Sequence, residues 1–190
     1  MDIPDELVLS VPQVNGTNSF TLASRLGQML REAESMYGRR DESFTILGIE
    51  FFDGPPHIWF PLNPKNLVVR LSSAHLFPPI RAYFQLANEV IHLLDPCVGA
   101  ANNLEEGIAT DFTIRYLERH FGERDWATWF TGTPYLECRR AVMEISASRP
   151  SFVRGIRATK PLSKATEQDI LGICPSCAFD TARFLAARFK

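Results

Sequence analysis

The sequence predicts a protein of the α+β class, in which a small, mainly antiparallel sheet precedes a helical C-terminal half. Three observations lead to this prediction. An amphipathic segment comes first, three short β-type runs follow within residues 43–73, and most of the remaining chain has helical character. No internal repeat or obvious linker divides the 190 residues. We therefore expect one domain, with the sheet and a motif helix in residues 1–100 and helices in residues 101–190.

The N-terminal half contains one predicted helix and three predicted strands. Residues 1–19 are interpreted as an arm or edge strand. Apolar residues then recur at helical spacing, and Gly38 provides the end of the first helix. Turn-forming residues separate the β-type runs that follow, which favours a compact meander. The strands are predicted at residues 43–52, 57–62 and 66–73.

The rest of the chain is predicted to be helical. A helix over residues 80–94 ends at Asp95-Pro96, because proline cannot continue a helix. The next helix begins at Asn102 or Asn103, which have the side chains of an N-cap, and ends at Gly122. Four further helices are predicted at residues 133–148, 151–161, 166–173 and 176–190.

Composition excludes some classes of partner. With 20 basic and 22 acidic residues, the net charge of -2 provides no long-range attraction to nucleic acid or to an anionic membrane. The acidic N-terminus lacks the pattern of a secretory signal, and no apolar run approaches the roughly 20 residues of a membrane span. We expect a cytoplasmic protein whose four cysteines are thiols.

The segment NEVIH, residues 88–92, lies inside the predicted helix over residues 80–94. Asn88 and His92 are four residues apart and share one face of that helix, and Glu89 lies beside His92. In a zinc peptidase, HExxH on a helix provides two imidazole ligands and a carboxylate that takes a proton from water. Here Asn88 replaces one imidazole.

A second acidic motif follows, in which the first turn of the next helix could bring Glu105 or Glu106 to the same point. A carboxylate there would be the third ligand of a two-His, one-Glu zinc site. A simpler interpretation is that one of the two acids only stabilises the start of that helix, by about 0.3 to 1 kcal/mol.

Together, "NEVIHLL" and "LEEGIATDF" resemble the gluzincin branch of the zincin-like metallopeptidases, over about residues 43–120. The resemblance implies a zincin-like fold, with the sheet packed on the active-site helix and with residues 66–73 as the substrate-pairing edge strand. It also implies that Glu89 is the general base, that His92 is the second zinc ligand and that Glu106 is the third. Asn88 occupies the position of the first ligand and departs from the pattern.

Three ways to complete such a site remain open. Asn88 could bind through its amide oxygen a metal that prefers oxygen donors. His75 could fold into the site, although a lone histidine at the end of a strand is more often exposed or capping. Finally, Asn88 could itself be a substitution for a natural histidine.

Two further pairs of side chains are candidates for stabilising an oxyanion or for binding the substrate. Tyr116 or Tyr135 could donate a hydroxyl to an oxyanion, although aromatic residues in such helices are more often part of the core. Arg139 and Arg140 could hold a substrate carboxylate, although an exposed arginine pair is usually solvated.

The function predicted from the sequence is that of a metallopeptidase-like protein that hydrolyses a peptide bond if a metal is bound. The alternative is a catalytically inactive zincin-fold protein that binds a peptide or protein along an edge strand. A third hypothesis rests on CPSC, residues 174–177, which has the spacing of a thiol redox motif or of half a four-cysteine zinc site. A turn with buried thiols is the simpler interpretation of CPSC.

Overall fold

The computed structural model describes residues 11, 12, 19, 20, 22–75, 80–122, 125–130 and 133–190, and it belongs to the α+β class, as predicted. Most of the interpreted arm lies outside these residues. The strands are β1 (Val11–Pro12), β2 (Ser19–Phe20), β3 (Thr45–Phe52), β4 (His57–Trp59) and β5 (Asn66–Ser72). The helices are α1 (Leu22–Tyr37), α2 (Ile80–His92), α3 (Asn103–Phe121), α4 (Thr133–Ser148), α5 (Phe152–Arg157), α6 (Glu167–Ile173) and α7 (Phe179–Ala186).

The main sheet has the strand order β3-β5-β4, so the predicted meander is wrong. β3 pairs with β5 in parallel, and β4 pairs with β5 in the antiparallel direction. The prediction of a mainly antiparallel sheet is therefore wrong, because its longest pairing is parallel. β5 is also the central strand rather than the edge strand, and β4 lies at the edge.

The composition of the strands explains this order. Leu67, Val69 and Leu71 of β5 are completely buried, and the central position satisfies the backbone groups on both sides of this most buried strand. β4 is only three residues long and follows two prolines, which cannot donate to a ladder, so it suits an edge.

Helix α2 packs against β5 and between α1 and α3. Its buried residues include Leu86 and Val90, which are four residues apart and lie on one face. This packing fixes the orientation of the helix. The opposite face of α2, which carries Asn88, Glu89 and His92, is thereby directed toward a cleft beside β4.

The predicted helix ends are confirmed where local signals define them. The side chain of Asn102 caps α3, and Gly38 follows α1 with a φ of 94°. Helices α5 and α7 are shorter than predicted. In the part of the chain that the structure describes, no helix has both the length and the apolar character needed to cross a bilayer.

The CPSC segment forms the turn between α6 and α7, rather than the first turn of a helix. Cys174 is buried and Cys177 is half-buried. A hydrogen bond with Ser176 lowers the pKa of the Cys174 thiol, whereas burial raises that of Cys177. All four cysteines are free thiols.

Candidate functional site

The candidate site begins on the face of α2 that lines the cleft. Asn88 and His92 lie one turn apart on that face, and Glu89 lies between them, as the sequence predicted. All three side chains line a cavity of about 190 Å³ between α2, the start of α3 and β4. Glu89 is 5% exposed, so its carboxyl group reaches the cavity from a nearly dry position.

The start of α3 brings two carboxylates to His92. Asn102 accepts a hydrogen bond from the backbone N–H of Glu105 at 2.9 Å, which fixes the first turn of the helix. Glu105 Oε1 then lies 3.4 Å from His92 Nδ1, and Glu106 Oε1 lies 3.6 Å from His92 Nε2. The imidazole is therefore held between two acids, one at each nitrogen.

Gly107 allows α4 to pack directly behind these acids. A Cβ atom at Gly107 would lie 2.6 Å from the backbone oxygen of Cys138 and 2.8 Å from Val142 Cγ2. Any larger residue would push α4 away from α3. The glycine that follows Glu106 therefore has a packing role that brings Tyr135, at the start of α4, to the cavity wall.

Burial and mutual charge strongly shift the protonation of this cluster. Burial alone would lower the pKa of His92, but the nearby carboxylates, led by Glu105, raise it to about 10. Burial raises the pKa of Glu89 to about 7, opposed by His92 and reinforced by Glu106 and Glu105. Burial also raises the pKa of Glu106. In this arrangement, His92 is the cation that the three acids share.

Two polar atoms in the cavity wall have no hydrogen-bond partner among the described residues. Asn88 Nδ2 and Ser163 Oγ are both fully buried and unpaired. Buried polar groups are nearly always paired, so unpaired atoms that line a cavity are typical of a ligand site. Because an amide can be turned over, the same position can present the Asn88 oxygen.

The edge strand forms the opposite wall of the cavity. His57 and Ile58 of β4 line it, together with the flanking residues Pro56 and Phe60. The edge strand beside the site is therefore β4, whereas the resemblance implied residues 66–73. The order of the strands decides this, and chain order gives no direct signal of it.

Tyr135 is the predicted hydroxyl donor that the structure brings to the site. It lines the cavity, and burial, followed by the charges of Glu106 and Glu89, raises its pKa, so its hydroxyl stays protonated. Tyr116 is buried elsewhere, with its hydroxyl 3.4 Å from Gln28 Oε1. The side chain of His75 lies outside the described part of the structure.

The predicted arginine pair does not line the site. Arg139 forms an ion pair with Asp111 at 3.1 Å, and Arg140 forms an exposed pair with Glu144 at 3.3 Å. Both guanidinium groups therefore have partners on their own helix or on α3. Neither lies in the walls of the cavity that holds His92.

Ser163 is a residue of the site that the sequence did not indicate. It lies in the 3-10 turn Leu162–Lys164, which the Asn102 side chain holds through a 2.8 Å hydrogen bond to the Leu162 oxygen. Asn102 thus positions both Glu105 and the turn that carries Ser163. This second contact spans 60 residues, so no local pattern could have predicted it.

Within the described ranges, no group of three or more His, Cys, Asp or Glu side chains is arranged to hold a metal ion. Two such donors, His92 Nε2 and Glu106 Oε1, do face each other. Their separation of 3.6 Å is too long for a hydrogen bond. Two ligands of one tetrahedral zinc ion, each about 2.0 to 2.1 Å from the metal, lie about 3.4 Å apart.

Comparison of the chain with protein-family models, with curated proteins and with solved structures gave no match. The interpretation of the site therefore depends on its own geometry and on the two sequence motifs. The geometry consists of one imidazole between two acids, a nearly dry third acid and an unpaired amide, all beside the edge of a sheet.

Proposed function

We propose that this protein is a zincin-like metallopeptidase homologue with an altered zinc site, which hydrolyses a peptide bond when a metal is bound. The observation that carries the proposal is the position of His92 between two acids. Glu105 engages Nδ1 and leaves Nε2 directed toward Glu106. Metal-binding histidines commonly donate their second ring N–H to a carboxylate, and Glu105, whose Oε1 lies 3.4 Å from Nδ1, is on the side of the ring where that carboxylate would be needed.

The residues fit a metal at two positions and offer an amide at the third. His92 and Glu106 would hold the ion, and Asn88 Nδ2 is buried at the same cavity with no hydrogen-bond partner among the described residues. An amide oxygen is a weaker ligand for zinc than an imidazole, and oxygen donors favour harder ions such as manganese. Because asparagine stands at position 88 in place of the first histidine of HExxH, we expect weak zinc binding or a preference for a harder ion.

The side chains around the cavity suit the hydrolysis of an amide. A bound zinc ion supplies Lewis-acid polarisation of the substrate carbonyl and lowers the pKa of water. Glu89, nearly dry at the cavity wall, would take a proton from water and pass it to the leaving amine. Tyr135 donates its hydroxyl to the oxygen on which negative charge develops.

The edge strand supports a peptide as the substrate. An extended peptide could add to β4 by main-chain hydrogen bonds, with its backbone carbonyl directed toward Glu89 across the cavity. A cytoplasmic setting would keep the free thiol of Cys97, in the cavity wall, reduced.

A hydrolysis assay tests this function. The wild type and Glu89→Gln are incubated with fluorogenic peptide libraries in the presence of zinc or manganese, with Glu144→Gln as a control that removes an exposed carboxylate. We expect metal-dependent cleavage that falls by about 10²- to 10⁴-fold in Glu89→Gln and is unchanged in Glu144→Gln. Cleavage that is absent with every metal, or equal in Glu89→Gln, would contradict the proposal.

The second candidate function is peptide binding without catalysis, which the combination of Asn88 and an edge strand at the cavity favours. In that case the metal-free protein would bind extended peptides by β-augmentation and would keep its melting temperature in a chelator. Zinc-dependent thermal stabilisation of the wild type would favour the hydrolase, because a ligand that binds the native state raises the melting temperature.

A further inference from the structure

A second cavity, of about 480 Å³, adjoins the candidate site along α2. It shares Asn88, Glu89 and Tyr135 with the first cavity and continues toward the N-terminus of the helix. Arg81 and Phe84 lie on the same face of α2 as Asn88, at intervals of three and four residues. One helix face therefore runs from His92 to a separate pocket.

Aromatic rings form one side of this pocket. The centroid of the Phe84 ring lies 4.6 Å from the centroid of the Phe130 ring and 5.7 Å from that of the Trp129 ring. The ring centroids of Phe130 and Tyr135 are 5.4 Å apart. Tyr135 therefore connects the aromatic wall to the candidate site. Edges and faces of this kind favour a flat aromatic ligand, since offset aromatic pairs gain more than the burial of their area alone.

Arg81 places a positive charge at the far end of the pocket. Its guanidinium carbon lies 4.8 Å from the centre of the Trp129 ring. Across the described residues, none of the ion pairs involves Arg81. The pocket thus has at one end a cation without an ion-pair partner in the described part of the chain, and Glu89 at the other. A guanidinium of this kind is suited to a planar carboxylate.

We propose that this pocket binds the C-terminal residue of a peptide, with an aromatic side chain against Phe84, Trp129 and Phe130 and the terminal carboxylate on Arg81. This proposal rests on the proposed function, whose substrate class it specifies as peptides with an aromatic C-terminus. It accounts for an arginine in a pocket whose only other charged side chain among the described lining residues is that of Glu89.

The spacing along α2 sets the distance between Arg81, which would bind the terminal carboxylate, and the bond that would be cleaved beside Asn88. Arg81 and Asn88 are seven residues apart, which is about 10 Å along a helix. An extended peptide covers about 3.3 to 3.6 Å per residue. The bond that faces Asn88 and Glu89 is therefore within about three residues of the C-terminus of the bound peptide, and cleavage would release a short C-terminal fragment.

Calorimetric titration of the metal-free protein tests the pocket separately from catalysis. The probes are a hexapeptide that ends in phenylalanine with a free carboxylate, its C-terminal amide, and a free-acid hexapeptide that ends in alanine. Each is titrated into the wild type, into Arg81→Gln and into Arg140→Gln, a matched control that removes an exposed arginine outside the pocket.

We expect the free acid that ends in phenylalanine to bind the wild type about tenfold or more tightly than either of the other peptides. Arg81→Gln should lose the preference for the acid over the amide, and Arg140→Gln should keep it. Equal binding of acid and amide by the wild type, or no binding of any peptide, would overturn the proposal, and the wild-type comparison decides even if Arg81→Gln does not fold.

The two proposals fail in different ways. If the pocket is wrong but the protein is a peptidase, metal-dependent hydrolysis persists without preference for an aromatic C-terminus. If the pocket is correct but the metal site is not, the metal-free protein still distinguishes the acid from the amide and no peptide is cleaved.

Discussion

Two buried polar clusters lie at the C-terminal end of α2, and they satisfy their polar groups very differently. Arg157, 5% exposed, donates to both carboxylate oxygens of Asp95 and to the backbone oxygens of Tyr37, Gly38, Arg39 and Leu94. A few residues away, His92 lies between two acids, and Asn88 Nδ2 has no partner among the described residues.

The contrast separates a structural cluster from the cluster that is proposed to bind a metal. The Arg157 cluster ties the ends of α1 and α2 to α5, and all its charges are balanced within the protein. The His92 cluster has three acids around one base and an unpaired amide, which costs stability unless something else binds there. Stability and binding are thus assigned to neighbouring but distinct groups.

The largest expected effect comes from breaking the structural cluster. Arg157→Ala removes the donor to the Asp95 carboxylate and to the backbone oxygens of Tyr37, Gly38 and Arg39, whereas the Leu94 oxygen keeps the N–H of Asp41. The free energy of unfolding should therefore fall by about 3 to 5 kcal/mol. Denaturation in urea measures the change. Arg140→Ala, which breaks an exposed pair, should change it by less than about 1 kcal/mol, and equal losses in the two variants would refute the distinction.

The next effect concerns how Glu105 orients the imidazole. Glu105→Gln removes the charge that engages His92 Nδ1, so the affinity for zinc should fall by about 10- to 100-fold. Competition with a chromophoric chelator measures the affinity. Glu118→Gln, an exposed change on the same helix, is the control. An affinity that is unaffected by Glu105→Gln would mean that Glu105 only stabilises the start of α3.

Only the His92 cluster should make stability depend on pH near neutrality. The folded, metal-free protein holds His92 at a pKa of about 10, above its ordinary value of 6.5. A raised pKa contributes stability that is present below about pH 6.5 and lost as the pH rises through about 10. Glu89, raised from 4.5 to about 7, acts in the same direction at lower pH.

Unfolding of the metal-free protein in urea at pH 6 and pH 10 measures this dependence. The free energy of unfolding should fall by at least about 1 kcal/mol between these two values. His92→Gln should reduce the fall, because it removes the titrating base. Stability that increases over this range in the wild type would contradict the arrangement of charges around His92.

The smallest effect tests the unpaired amide. Asn88→Leu replaces a buried N–H without a partner by an apolar group of similar size, so stability should rise by about 1 kcal/mol while metal binding is lost. Asn103→Leu is the matched control, since Asn103 Nδ2 donates to the Phe184 oxygen at 2.8 Å and its loss should destabilise. If both variants are destabilised, the Asn88 amide has a partner in solution.

The sequence predicted the parts of the site that local structure determines. The periodicity of α2 placed Asn88, Glu89 and His92 on one face, and the cap at Asn102 fixed the first turn that carries Glu105 and Glu106. The order of the strands and the position of Ser163 depend on contacts between distant residues. Local patterns contain no signal for these, which is why the edge strand was assigned to the wrong segment.

The surroundings of Arg81, at the second cavity, also depend on contacts between distant residues and could not be predicted from local sequence. Its helix was predicted, but its neighbour Trp129 comes from a 3-10 turn 48 positions later. Arg139 and Arg140 had the more prominent pattern, yet they pair with Asp111 and Glu144. The function of an arginine depends on which acids the fold brings to it, and this information is absent from its local sequence.

The most direct test of the central claim is the zinc content of the protein, measured by elemental analysis after purification without a chelator. If His92 and Glu106 are metal ligands, we expect about one zinc per chain in Asn88→His, a smaller but measurable content in the wild type, and none in Asn88→His combined with Glu106→Gln. If neither the wild type nor Asn88→His contains zinc, His92 and Glu106 are not metal ligands and the metallopeptidase proposal is contradicted.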